Sequence, residues 1–192
     1  MTSTPSFDVS VARDIILTTT HPVSAGDHLK KASVFMLLRT PETRPAFFAI
    51  QKADNEGYPW ANQVAFPGGH QDPEDVSPEF TAFRELSEET GIDASEVECI
   101  GSMGHFQTIN NTEIEVFFGI WNGEMASVCF DTSEISRILE IPLERVVTTH
   151  LEKGFSGRTP GWEELLYPVE DVVVWGATAR ILHYFTELLL MP

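Results

Sequence analysis

Before residue 30 the chain is mostly polar, with one short helix expected near 9–17 and a turn at Ser24-Ala25-Gly26-Asp27. Two β-prone runs follow, 33–39 and 46–51, either side of Pro41-Glu42-Thr43-Arg44-Pro45, and predict a hairpin. After a loop at 54–59, the short run Val64-Ala65-Phe66 leads into Pro67-Gly68-Gly69, a sharp bend that only small residues would allow. Ser77-Pro78-Glu79 has the form of an N-cap with proline in the first turn, and Gly91 that of a C-terminal cap, so a helix is expected between them.

Three further strands are expected at 97–103, 113–121 and 125–130, with Asn122-Gly123 a type I′ turn signal between the last two. Residues 135–140 read as a short helix and 165–175 as extended. A second long helix is expected over 176–190, with Ala177, Ile181, Phe185, Leu188 and Leu189 on its apolar side. Strands mixed with two principal helices predict an α/β sandwich, a mixed sheet with helices on both faces.

Charge narrows the function. The 192 residues carry 12 Lys+Arg against 29 Asp+Glu, a formal net charge of −17. A chain this acidic repels a phosphate backbone, so nucleic acid is excluded as a bulk partner. A small phosphate substrate would need a divalent cation to neutralise it. At 42% hydrophobic and 21% charged, the composition is that of a folded domain. Cys99 and Cys129 are too few for a disulfide framework and are expected as buried thiols. The N-terminus lacks the apolar run of a signal peptide. The tract 172–191 is interrupted by Arg180, His183 and Glu187, as on the wet side of an amphipathic helix. A cytoplasmic protein with no membrane association is the expectation.

The chemistry concentrates in Arg84-Glu85-Leu86-Ser87-Glu88-Glu89-Thr90-Gly91-Ile92. At about 100° per residue, Glu85, Glu88 and Glu89 fall within an arc of roughly 100°, with Phe80, Phe83 and Leu86 turned the other way. Three like charges at such spacing repel, at a few tenths of a kcal/mol per pair, and a metal would reverse that penalty. Oxygen ligands select a hard cation, Mg²⁺ or Mn²⁺. His70 and His105 flank the region as lone histidines, and Glu113, Glu115 and Glu134 are further acids within reach of the argument. Trp60, Trp162 and Tyr167 are candidates to stack on a base.

Together with the bend at Gly68-Gly69, this segment resembles the Nudix box, G-x5-E-x7-R-E-U-x-E-E-x-G-U with U aliphatic. The second half fits at every specified position. In the first half, Asp75 instead of Glu follows Gly69 after five intervening residues, and eight residues rather than seven separate it from Arg84. The resemblance implies that the Gly69 carbonyl, Glu85 and Glu89 ligate the metal, that Glu88 is a further ligand or the base, and that Arg84 orients the carboxylates. It implies a lead-in at 1–30 and a Nudix-type α/β/α sandwich domain at 31–192.

The text around the box, residues 63–69, 72–75, 140–143 and 175–182, is similar to the coenzyme A diphosphatase branch of that family. That branch carries a basic, histidine-containing stretch before the box, where this chain has Tyr58-Pro59-Trp60-Ala61-Asn62, leaving Lys52 as the nearby cation. The resemblance implies hydrolysis of a nucleoside diphosphate linked to another moiety, coenzyme A or its derivatives first, with Lys52 and Gly68 at the substrate. Cleavage of ADP-ribose, a dinucleotide or a nucleoside triphosphate stays open, as does a non-catalytic nucleotide-binding module. Dimers are frequent in the family, which admits a homodimer here.

Overall fold

The computed structural model describes residues 8–26, 29–40, 44–54 and 61–191. Strand β1 (Lys30–Arg39) is its central element. On one edge β1 runs parallel to β6 (Thr112–Trp121), which pairs antiparallel with β5 (Val97–Gln107). The other edge is shared. Leu37, Leu38 and Arg39 pair with β2 (Ala46–Lys52), whereas Ala32, Ser33 and Val34 pair with β4 (Gly68–His70). Between the two sets, Phe35 N–H donates to the Pro67 carbonyl at 2.9 Å. β1 and β2 thus diverge, and the segment from β3 (Val64–Ala65) to β4 wedges into the gap with β3 paired to β2. This split brings Gly68 and Gly69 against β1.

Alternation along β1 divides the interior in two. Val34, Met36 and Leu38 face a core shared with α1 (Val9–Thr18), α3 (Leu143–Glu152) and α4 (Gly176–Leu190). Phe35 and Leu37 face the other side, where α2 (Pro78–Thr90) contributes Ala82 and Leu86. In the first core Phe185 stacks on Phe118 at a 5.5 Å centroid distance and meets Phe47 edge-on at 5.2 Å. A sheet between helices, as expected, is the result.

Three expected elements are different. Residues 135–140 are not a helix but part of β7 (Ile135–Pro142), which pairs antiparallel with β2. Ile135, Leu139 and Ile141 are buried on alternate positions, so a partner strand, and not helical periodicity, uses the pattern. Residues 125–130 form no strand, and Asn122-Gly123 closes no hairpin. A 3₁₀ turn (Met125–Ser127) replaces it, and Cys129 N–H donates to the Thr90 carbonyl at 3.0 Å. Met125, Val128 and Phe130 pack against the α2-side core, so their apolar character serves packing and not pairing. Helix α3 had no expectation. It follows Pro142 without a side-chain cap and is held by the burial of Leu143, Val146 and His150.

The extended stretch at 165–175 is a small hairpin, β8 (Tyr167–Val169) with β9 (Val172–Val174). Neither cysteine is a fully buried thiol: Cys99 is half-buried and Cys129 exposed. Among the described residues no helix is long and apolar enough to cross a membrane. The loop at 55–59, Trp60 and much of the 41–45 turn lie outside the described residues.

The lead-in is fastened to the sheet. Ala12 and Ile16 are buried, and the Glu113 carboxylate on β6 accepts from Ser24 Oγ, Ala25 N–H and Lys31 Nζ, each at 2.6 Å. Burial pushes the Glu113 carboxyl up, but these three donors outweigh it and bring it down to about 2 from 4.5. A depressed carboxyl contributes stability above its unfolded value and loses it as pH falls through the folded one. Glu113→Gln is therefore expected to flatten the loss of stability between pH 4.5 and about 2, read by urea unfolding at several pH values. Phe185→Ala is expected to cost about 3–5 kcal/mol by leaving a cavity. The exposed Leu151→Ala should stay within about 0.5 kcal/mol in the same assay.

Candidate active site

Helix α2 carries the site because both of its ends are fixed. Ser77 Oγ accepts from Phe80 N–H at 3.1 Å, and Gly91 terminates the helix at φ 71°. Beneath it, Thr81, Ala82, Leu86 and Thr90 are buried. Phe80, expected on the dry side, lies in the first turn and is 47% exposed.

On the upper face Arg84 is the hub. Its Nε donates to Asp75 Oδ1 at 3.0 Å and its Nη2 to Asp75 Oδ2 at 2.9 Å, a two-point fork. Nη2 also reaches the His70 carbonyl at 3.1 Å. Nη1 donates to Glu85 Oε1 and to Glu88 Oε2, both at 3.0 Å. All five N–H donors of the guanidinium are engaged. Asp75, whose role the longer box left open in the sequence, is the residue that aims the arginine. Its carboxylate also accepts from Thr81 Oγ1 at 2.8 Å and Asp72 N–H at 2.9 Å. Asp75 itself is placed by the turn at 72–75, closed by Asp75 N–H to the Asp72 carbonyl at 3.0 Å, and the extra residue falls after it, before Arg84. The part Asp75 plays is hidden in the sequence because its distance from Arg84 breaks the pattern. Its signal is an acid six positions past Gly69.

Glu89 turns the opposite way, into the sheet, and is 9% exposed. Its Oε1 lies 2.5 Å from Lys52 Nζ on β2, and its Oε2 accepts from Gly68 N–H at 2.9 Å. Gly68 and Gly69 are required by close approach. A Cβ on Gly69 would sit 2.4 Å from the Glu85 carboxyl carbon, and one on Gly68 2.2 Å from the Ser33 carbonyl. The structure thus brings together Gly68, Gly69, Arg84, Glu85, Glu88, Glu89 and Lys52.

Charges are tuned accordingly. The Arg84 fork holds the Asp75 carboxyl well below the usual carboxylate range. Burial pushes Glu85 up, against the pull of Arg84 and with the repulsion of Glu89 and Glu88. The carboxylates rest on the chain's own cations, Glu85 and Glu88 on Arg84 and Glu89 on Lys52. Among the described residues no three His, Cys, Asp or Glu side chains form a ready group for a metal ion. The donor set still suits a hard dication: every donor is oxygen, and Glu85 lies hard against the glycine bend.

Other candidates fall elsewhere. His70 contributes its backbone and exposes its ring. His105 Nδ1 is 3.4 Å from Glu113, which serves the lead-in. Glu115 accepts from Ser102 Oγ at 2.8 Å. Glu134 is exposed, its carbonyl taking Ala53 N–H at 2.8 Å. Tyr167 is fully buried and bonded to His150 Nδ1 at 3.0 Å, so it offers no face to a base. Trp162 is covered by the Arg180 guanidinium, 4.3 Å from the ring centroid. Trp60 is outside the described residues.

The NUDIX domain model matches residues 29–159, well over half of the chain. The chain belongs to the Nudix family. It is 28% identical over 176 residues to the "Uncharacterized Nudix hydrolase NudL" of Yersinia pestis (strain Pestoides F), covering 91% of this chain and 86% of that protein. The Nudix fold recurs in a Caenorhabditis elegans Ap4A hydrolase binary complex (TM-score 0.51, 18% identity, 62% of this chain and 85% of that one). It recurs also in a MutT/nudix family protein from Enterococcus faecalis (TM-score 0.52, 12% identity, 94% of this chain and 73% of that one). The protein is a Nudix pyrophosphohydrolase.

Asp75→Asn keeps the size of the residue that aims Arg84 but removes its charge. It is expected to lower kcat/KM about 10–100-fold, the usual effect of losing an orienting partner. The exposed Asp72, 3.5 Å from Arg84, should tolerate Asn with little change in the same steady-state assay.

Proposed function

We propose that this Nudix enzyme hydrolyses the diphosphate of a nucleoside diphosphate joined to a second moiety, with coenzyme A and its derivatives as first candidates, in a reaction that needs Mg²⁺ or Mn²⁺. The observation that carries the reading is the Arg84 hub, which holds Glu85 and Glu88 side by side while Glu89 is anchored on Gly68 N–H. Glu85, Glu88, Glu89 and the Gly69 carbonyl would hold the dication. When bound, that ion withdraws charge from the phosphate oxygens and lowers the pKa of water.

The chain's own residues do the positioning. Arg84 keeps two carboxylates oriented without spending its charge on substrate, since each N–H is already engaged. Lys52 lies beside Glu89, and we assign its ammonium to a phosphate oxygen of the substrate, with the bend at Gly68 giving the phosphate close access to backbone. Water adds to one phosphorus, the P–O bond to the bridging oxygen breaks, and two phosphate monoesters leave. Catalysis of this kind is chiefly positioning and electrostatic stabilisation. The cytoplasm is the compartment we propose, and the family resemblance admits a homodimer.

Support for coenzyme A is the text at 63–69, 72–75, 140–143 and 175–182. A dinucleotide is the second reading, since the C. elegans neighbour is an Ap4A hydrolase. The test is a panel of coenzyme A, its thioesters, ADP-ribose, dinucleotides and nucleoside triphosphates with Mg²⁺ or Mn²⁺, scored by product mass. Coenzyme A is expected to give two monoesters, and inertness toward it beside turnover of another compound would redirect the assignment. Glu89→Gln is expected to lose about 100-fold or more in turnover of the best substrate. Equal turnover by this variant would contradict the site.

A further inference from the structure

A cavity of about 420 Å³ opens on the opposite side of the sheet from α2, between α4, the end of β5 and the chain near 158–159. None of its lining residues belongs to β4, α2 or the Lys52 strand, so it is separate from the carboxylate site. Its walls gather two of the scarce cations. In a chain with 12 Lys+Arg, the lining includes Arg158 and Arg180, beside His105 and His183.

Arg180 is the informative residue. Its guanidinium carbon lies over the Trp162 ring, 4.3 Å from the centroid, and among the described residues no carboxylate pairs with it. It is fixed in place with its charge unspent. Arg158 is partly occupied by Glu164 at 2.9 Å. The acid in the wall, Glu187, is taken up by His150 Nε2 at 2.7 Å and Gly157 N–H at 2.8 Å. His183 Nε2 meets the Arg158 carbonyl at 3.1 Å, which makes that nitrogen the donor. Its Nδ1 is then an acceptor, and it is buried with no partner among the described residues. Burial and the neighbouring His150 hold His183 below the usual imidazole range, in keeping with a neutral ring. Phe106 and Tyr184, edge to face at 5.4 Å, supply a rigid apolar wall, with the Tyr184 hydroxyl 2.9 Å from His21 Nδ1.

We propose that this cavity is a second ligand site that takes a nucleoside monophosphate, with its phosphate on Arg180 and Arg158 and its base against Phe106 and Tyr184. The volume lies within the range of about 300–1,000 Å³ usual for small-molecule sites. A planar guanidinium held by an aromatic ring suits a phosphate better than an isolated ammonium does. The inference does not depend on which diphosphate the Nudix site cleaves.

The test is calorimetry of the full chain in excess EDTA, with AMP, adenosine and orthophosphate as separate probes. The parent and Glu89→Gln are expected to take up AMP alike and saturably, more tightly than either adenosine or orthophosphate. Arg180→Gln should weaken AMP about tenfold or more, the loss of a charge-assisted pair. Arg180→Lys keeps the charge and loses the fork. It should fall between the two, and it serves as the test if the Gln variant does not fold. No saturable AMP uptake, equal affinity in both Arg180 variants and the parent, or orthophosphate binding as tightly as AMP would overturn the proposal. Hydrolysis assayed alongside separates this outcome from a failure of the Nudix site.

Discussion

A single guanidinium with five donors organises acids that would otherwise repel one another. Arg84 draws Asp75 on one side and Glu85 and Glu88 on the other, and it tethers the chain after β4 through the His70 carbonyl. Arginine suits this position because its fork is planar, permanently charged and pre-organised. Lysine could match the charge but not the geometry. Removing any one partner would leave donors unsatisfied in a partly buried place, where the loss exceeds the net worth of the pair.

That hub works only because the sheet brings the glycine bend under the helix. The divergence of β1 from β2 admits β3 and β4, and the pairing of Ser33 with Gly69 sets the bend's height against β1. Glu85 then closes over Gly69 with no room for a Cβ, and Glu89, one turn on along the same stripe, reaches Gly68 N–H and Lys52. Backbone proximity, helix phase and two cations together set where four acids sit. With a net charge of −17, the chain must neutralise these acids locally. It does so with Arg84 and Lys52.

Much of this was legible in the sequence where local rules act alone. The α2 boundaries follow from Ser77, Pro78 and Gly91, and the stripe of Glu85, Glu88 and Glu89 from helical period. The period gave the stripe but not its depth: Glu89 is buried because β4 and Lys52 close over it, a tertiary effect. The helix misread at 135–140 has the same origin. The two-residue period of its buried positions, Ile135, Leu139 and Ile141, needed a partner, and β2 supplies one across a long sequence separation. The apolar run at 125–130 was read as pairing when it is packing. Asn122-Gly123, a strong local turn signal, was overridden because the chain turns under α2 instead of back along β6. Asp75 was illegible for another reason: the extra residue between it and Arg84 breaks the pattern in sequence, and only the fold brings the two side chains together.

The claim on which the rest depends is that the acids around Arg84 cage a hard dication. A Mn²⁺ titration of the purified chain, followed by the electron paramagnetic resonance of the free ion, reads this without reference to any substrate. Saturable uptake that is lost when Glu85 and Glu89 are both changed to Gln is the predicted result. Uptake that is absent in the parent, or unchanged in the double variant, would contradict the account.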